Sequence, residues 1–227
     1  GLIEDAAGIR DLVREMFGED TGNATAKKGA KAWAETAEQM RQRFNRAGGD
    51  VGRLDTWGMP QSHDMRLVLK AGKQAWVDYV MARADRAAYV RDDGLQMGEP
   101  EIRETLGAAW ETISSDGLNK IKPGATQGKG MRAKRGSESR VIHFKDADAW
   151  LDYHKEFSGR GIYATITGHV AHLSRDIALV EELGPNPAHQ FGYWKDVVRQ
   201  SGASGMRQTY LENLFSQLDG SANAVVD

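Results

Sequence analysis

Apolar residues recur at intervals of three and four along most of the chain, and a glycine or proline ends each run. This spacing places the apolar side chains on one face of a helix with 3.6 residues per turn. The first run ends at Gly18, and the second spans about residues 25–47. This helical spacing predicts an all-α fold. The sequence contains no internal repeat and no sustained heptad. We expect an irregular multi-helix bundle of about seven helices rather than a coiled coil.

Capping and breaking residues predict where the middle helices begin and end. Pro60 breaks the chain, and Ser62 or Asp64 is placed to cap one helix that carries Leu67 and Val80. Pro100 fits the first turn of the next helix, which we expect to end at about residues 116–117.

The C-terminal part contains a short apolar run and then four further helical patterns. Residues 141–144 fit a short strand or an extended lead into a helix that Asp146 or Asp148 begins. A long helix is expected to end at Leu183, before Pro185 and Pro187. The last two helices are expected at about residues 188–200 and 206–218.

Residues 117–136 differ from the rest of the chain because they contain five glycines, six basic residues and no acidic residue. Glycine loses the most backbone entropy on ordering, so we predict a long flexible basic loop over residues 117–139. This loop would separate an N-terminal helical region, 1–116, from a C-terminal helical region, 140–220, unless all of them form one domain. Because the chain begins with Gly1 and passes directly into a helical pattern, we interpret it as part of a longer protein.

The basic loop is the local feature with the clearest functional content. Its cations could contact nucleic-acid phosphates, bind an acidic partner surface, or remain solvated. They interleave with no aromatic residue, which disfavours a stacking surface for single strands. The candidate phosphate or partner contacts are Lys120, Lys122, Lys129, Arg132, Lys134 and Arg135.

Charge and composition restrict the classes of function. The net charge is −2, which gives no global attraction to nucleic acid or membranes. The chain has no cysteine, which excludes disulfides, thiolate nucleophiles and cysteine-based zinc sites. No apolar run approaches 18 residues, so we predict no transmembrane segment.

Two groups of polar residues are candidates for a catalytic or metal site. His169, His172 and Asp176 share one helical face and have the residue types of a zinc or iron site, but no fourth ligand is evident. A second group consists of His143, Asp146, Asp148 and His154, in which the aspartates fit helix-start positions. We therefore predict no catalytic residue, no metal ligand and no cofactor, and we leave open a chemical role of the His169 face.

Neither the glycines nor most of the tryptophans predict a ligand site. Gly124–Met131 lacks the spacing of a phosphate-binding loop and does not follow a strand. Five of the six tryptophans lie in helical apolar stripes and are expected in the core. Trp57, beside Gly58 and Pro60, is the candidate for an exposed interface anchor.

Several stretches together resemble a helical region of large internal virion (ejection) proteins of tailed bacteriophages. They lie within about residues 56–191, and they are Trp57–Asp64, Ala75–Val80, Thr112–Lys120, Arg140–Phe157 and Glu182–His189. The resemblance implies a protein that is packaged in the virion, assembled in the host cytoplasm and delivered with DNA. Its implied partners are portal or internal virion proteins, or further copies of itself.

We therefore expect a non-enzymatic structural or assembly segment. Two alternatives remain open at this point. One is a helical accessory or catalytic domain of an ejected enzyme, and the other is a weak, non-specific DNA-binding module that uses the basic loop.

Overall fold

The computed structural model describes residues 6–49, 51–52, 59–91, 93–115, 141–184, 187–202 and 204–219. Over these residues the chain is all-α, with nine α-helices, one short 3-10 helix and no strand. The all-α prediction is confirmed. The predicted basic loop, 117–139, lies outside the described residues.

Helices α1 (Ala6–Met16) and α2 (Ala24–Arg46) are the first two helices of the described chain. Asn23 caps α2, because its Oδ1 accepts hydrogen bonds from the backbone N–H groups of Thr25 and Ala26 at 3.1 and 3.2 Å. The Asn23 amide also donates to Asp11 of α1 at 2.9 Å. One side chain therefore fixes both the start of α2 and its contact with α1.

The single helix predicted from Ser62 or Asp64 to Val80 is two helices, α3 (Met65–Ala71) and α4 (Lys73–Met81). Asp64 is the cap of α3, since its Oδ1 accepts from the backbone N–H groups of Arg66 and Leu67. Gly72 separates the two helices with a φ of 78°, a conformation that favours glycine. Apolar spacing alone did not reveal this break.

A 3-10 turn, Arg86–Ala88, leads to α5 (Glu99–Ser114). Pro100 lies in the first turn of α5, as predicted. The carboxylate of Glu101 accepts from the backbone N–H of Gly98 at 2.8 Å, which satisfies one of the donors that a helix start leaves unpaired.

Residues 141–146 form an extended segment that leads into α6 (Ala147–Phe157). The N–H of Asp85 donates to the carbonyl of His143, and the N–H of Lys145 donates to the carbonyl of Arg83, at 2.8 and 3.0 Å. The segment is thus pinned beside residues 83–85 by an isolated bridge and not by a full strand. Asp146 caps α6.

Three helices complete the described chain: α7 (Ile162–Leu183), α8 (Pro187–Gln200) and α9 (Gly205–Asp219). Their positions agree with the predicted helices to within a few residues.

The chain divides into two compact units. The first comprises the described residues of Gly1–Gln39, Arg53–Gly124 and Ser139–Leu173. Its main core is formed by α3, α4, α5, α6 and the extended segment, and includes Val68, Trp76, Val80, Ile102, Leu106, Ile142, Tyr153 and Phe157. A second cluster joins α1 to α6 and consists of Val13, Met59, Ala147 and Trp150.

The second unit comprises the described residues of Met40–Gly52, Ala125–Glu138 and Ser174–Asp227. Phe44, Ile177, Val180 and Phe191 are buried in it. The guanidinium of Arg43 forms a bidentate ion pair with the carboxylate of Glu181, with N–O distances of 2.7 and 2.8 Å. Helices α8 and α9 pack against each other, with Arg199 paired to Glu212 at 2.8 Å.

The predicted regions 1–116 and 140–220 stay a prediction, because the loop that would separate them lies outside the described residues. Ile102 and Leu106 of α5 share a core with Tyr153 and Phe157 of α6, so residues before and after the predicted loop fold together. The sequence boundary follows a change in composition, whereas a compact unit is defined by which apolar faces meet.

Candidate functional site

A line of three hydrogen-bonded aromatic side chains leads from the core of the first unit to its surface. The indole Nε1–H of Trp76 donates to the phenolic oxygen of Tyr153 at 3.3 Å. The same oxygen lies 2.8 Å from Nδ1 of His63. Both ring pairs are edge-on, with centroids 6.2 and 5.6 Å apart. Trp76 and Tyr153 are buried, and His63 is only partly buried.

The hydrogen bonds of the Tyr153 hydroxyl indicate which tautomer His63 adopts. An indole nitrogen only donates, so Tyr153 accepts from Trp76 and has its own proton left to place. Among the described residues, Nδ1 of His63 is the remaining partner of that hydroxyl. We infer that Nδ1 accepts this proton, since that arrangement satisfies both groups, and that the ring proton of His63 is on Nε2.

Burial sets the protonation state of both groups. It lowers the pKa of His63 to about 4, so the ring is neutral near pH 7. It raises the pKa of the Tyr153 phenol, which therefore keeps its proton. A neutral ring with its proton on Nε2 is a fixed hydrogen-bond donor, and this pKa makes it a weak base near neutrality.

His63 lines an open groove of about 610 Å³ on the first unit. A stripe along α5 forms one side of the groove, and residues 61–63 and 141–142 form the other. Gln61 ties these two segments together, because its amide nitrogen donates to the carbonyl of Ile142 at 2.7 Å. The lining residues are Gln61, His63, Glu104, Thr105, Ala108, Ala109, Thr112, Ile113, Val141 and Ile142.

Few polar groups line the groove, and some of them already have hydrogen-bond partners within the protein. The hydroxyls of Thr105 and Thr112 donate to the carbonyls of Glu101 and Ala108 one turn earlier, at 2.9 and 3.1 Å. Glu104 is exposed, and among the described residues it has no ion-pair or hydrogen-bond partner. It is also the one charged residue among the described residues that line the groove. The groove therefore has an apolar floor, one fixed donor and one acidic residue at its rim.

The second histidine of the region, His154, is buried within the fold. Its ring stacks on Trp150 with centroids 4.6 Å apart. Its Nε2 lies 3.0 Å from the hydroxyl of Thr165, and its Nδ1 lies 3.3 Å from that of Ser158. Burial lowers the pKa of His154 to about 4, so this ring is also neutral near pH 7. Both ring nitrogens have partners, which identifies a structural histidine.

The two aspartates near the start of α6 have different roles. Asp146 caps the helix, since its Oδ1 accepts from the N–H of Ala149 at 2.7 Å. Asp148 instead forms an exposed ion pair with Arg14 at 2.8 Å. His143 of the same predicted group contacts Tyr89 edge-on, with ring centroids 5.1 Å apart. Their positions fit capping and packing, and they do not converge on one cavity.

His169, His172 and Asp176 all lie in α7. The ring of His169 is 6.1 Å from that of Trp33, centroid to centroid. In the part of the chain that the structure describes, no three histidine, aspartate or glutamate side chains converge as metal ligands.

The remaining site predictions lie outside the described residues. These are the interface anchor Trp57 and the six cations Lys120, Lys122, Lys129, Arg132, Lys134 and Arg135. Of the other tryptophans, Trp76 and Trp150 are buried in the core, and Trp110 is partly buried, with its indole donating to the carbonyl of Val68.

The groove itself was missed from sequence. Gln61 and His63 belong to a stretch noted only for its resemblance, and no local pattern joins them to α5. A lone histidine in a loop two residues before the start of a helix is a weak signal, because its partner Tyr153 is distant in sequence.

None of the helices in the described ranges is long and apolar enough to cross a membrane. No family model, curated protein or solved structure matches the chain.

Proposed function

We propose that this chain is a non-enzymatic structural or assembly segment of a phage internal virion (ejection) protein. It would be an irregular helical bundle that carries the basic loop. It would be made in the host cytoplasm, packaged in the virion and delivered with DNA. Its partners would be portal or other internal virion proteins, or further copies of itself.

The observation that supports this proposal is that polar side chains within the region of resemblance form hydrogen bonds inside the fold. In α6, the phenol of Tyr153 and both ring nitrogens of His154 have partners inside the fold. Asp146 is committed to the helix start. Residues that hold a fold together in this way suit a scaffold, whereas catalysis needs reactive groups presented in a cleft.

Neutral histidines with lowered pKa values also favour a non-catalytic role. A general base works best when its pKa lies near the working pH. The values of about 4 for His63 and His154 lie well below neutrality. Within the described part of the chain both rings hydrogen-bond to hydroxyl groups and not to a carboxylate that would raise the pKa, and burial is the cause of both shifts.

The proposal is tested on particles. The phage whose genome encodes the chain would be grown, and its virions purified by density gradient and analysed by quantitative mass spectrometry. We expect the protein at several copies or more per filled virion, and its loss from virions that have ejected their DNA. Abundance in the lysate with absence from purified virions would contradict the proposal.

The DNA-binding alternative depends on the basic loop, whose six cations could contact phosphates. The enzyme alternative finds no specific support in the groove, because its one histidine is a donor at neutral pH and its two threonine hydroxyls are bonded to backbone carbonyls.

A further inference from the structure

We propose that the groove along α5 binds an extended peptide segment that carries apolar side chains next to a lysine or arginine. This inference does not depend on the virion proposal, since it follows from the groove alone.

The length of the groove fits a short peptide. Its lining residues on α5 run from Glu104 to Ile113, nine residues apart. At 1.5 Å per residue this is about 13 Å of helix. An extended chain rises about 3.3 Å per residue, so about four residues of a peptide match the groove.

The floor of the groove favours apolar side chains. Ala108 and Ala109 are small and leave space above the helix, while Ile113, Val141 and Ile142 supply apolar walls. Val141 is 38% exposed. Covering this surface would remove apolar area from water.

The donor in the groove suits a peptide backbone. Tyr153 holds His63 as the tautomer with its proton on Nε2, and the ring is part of the groove lining. An extended peptide presents a carbonyl oxygen at every residue, so an acceptor is always within one residue of the donor.

The charge at the rim selects the flanking residue. Among the described residues Glu104 has no ion-pair or hydrogen-bond partner, and it is the one charged group of the described lining. It attracts a lysine or arginine and repels an acidic residue. The proposed ligand is therefore basic at an end and apolar in the middle.

The test uses two peptides and the full chain. The probes are acetyl-Lys-Leu-Val-Leu-Lys-amide and acetyl-Glu-Leu-Val-Leu-Glu-amide, which carry charge at both ends so that the direction of binding does not matter. Each is titrated into nitrogen-15-labelled protein and followed by NMR. We expect the lysine probe to shift the resonances of Thr105, Ala108 and Ile113 and to bind about two- to fivefold more tightly than the glutamate probe, the range expected of an exposed ion pair.

Charge reversal provides the sharpest control. Glu104 is exposed, so Glu104→Lys should fold normally, and it should reverse the preference between the two probes. The proposal is overturned if the glutamate probe binds the wild type more tightly, or if both probes bind equally and Glu104→Lys changes neither affinity.

Filling the groove tests the position of the site. Ala108 is exposed on α5, and Ala108→Phe should weaken binding of the lysine probe at least tenfold. Ala164→Phe, at an exposed position of α7 outside the groove, is the matched control and should bind as the wild type does. Unchanged affinity in Ala108→Phe would place the peptide elsewhere.

Groove resonances that shift with protein concentration alone would identify a second copy as the occupant and would also overturn the proposal.

Discussion

The phenolic oxygen of Tyr153 lies 2.8 Å from Nδ1 of His63, although the two residues are 90 positions apart in the sequence. This bond joins α6 to the segment that precedes α3. It also sets the tautomer of His63, because Trp76 occupies an acceptor position of the same hydroxyl. A single hydroxyl thus connects the core to the groove.

Removing that hydroxyl should destabilise the first unit. Tyr153→Phe leaves the Trp76 N–H and the His63 Nδ1 without their partner, which costs about 1–3 kcal/mol for a buried group. Urea unfolding followed by circular dichroism measures the change. Tyr79→Phe is the control, since the Tyr79 hydroxyl has no hydrogen-bond partner among the described residues and its loss should change stability by less than about 0.5 kcal/mol. Equal effects of the two variants would contradict the assigned role of Tyr153.

Two histidines with lowered pKa values, His63 and His154, should make the free energy of unfolding fall with acidity. Burial lowers the pKa of His63 and of His154 from 6.5 to about 4, so between these values the unfolded chain binds more protons than the folded one. Stability is then fully present above pH 6.5 and is lost as the pH falls toward 4. Each histidine contributes a slope of at most about 1.4 kcal/mol per pH unit.

Urea unfolding at pH 7 and pH 5 measures this slope. His63→Gln and His154→Gln should each make it shallower, because one of the two depressed groups is then absent. A slope that neither substitution changes would show that other groups cause the acid sensitivity.

Gly159 should not tolerate a side chain. Its φ is +65°, and a Cβ there would lie 2.5 Å from the Oδ2 of Asp64, the residue that caps α3. Gly159→Ala should therefore destabilise the protein by about 1–3 kcal/mol. Gly168→Ala is the matched control in α7, where the nearest atom is 3.8 Å away, and it should stabilise the helix by about 0.5–1 kcal/mol. A neutral Gly159→Ala would show that Asp64 moves freely.

The basic loop is predicted to bind DNA weakly and without sequence preference. Six cations limit the salt slope to about −5 if each meets a phosphate, and the net charge of −2 opposes binding. Replacing Lys129, Arg132, Lys134 and Arg135 with serine should abolish the gel shift that we expect at low salt.

The control for this loop variant removes the same charge elsewhere. Lys27, Lys28, Lys31 and Lys70 are exposed on helices, and their replacement with glutamine should leave most of the DNA binding intact. Tight binding by the loop variant at physiological salt would place the nucleic-acid contact on the helical body.

The sequence predicted local structure well because the determinants are local. Asp64 and Asp146 cap helices, Pro100 lies in a first turn, and apolar spacing predicts the order of the helices. The break at Gly72 was missed because the apolar stripe continues across it in register, so only the left-handed backbone of that residue reveals it.

The sequence by itself determined an all-α chain and most of its helix boundaries. It also excluded disulfides, thiolate nucleophiles and cysteine-based zinc sites, because it contains no cysteine. Tertiary structure alone decided which groups meet. It brought Tyr153 to His63, placed α5 against the extended segment 141–142, and set Glu104 at the rim of the groove between them. Helix formation depends on residues three and four positions apart, whereas a groove depends on how distant apolar faces pack, and a single sequence does not specify that pairing.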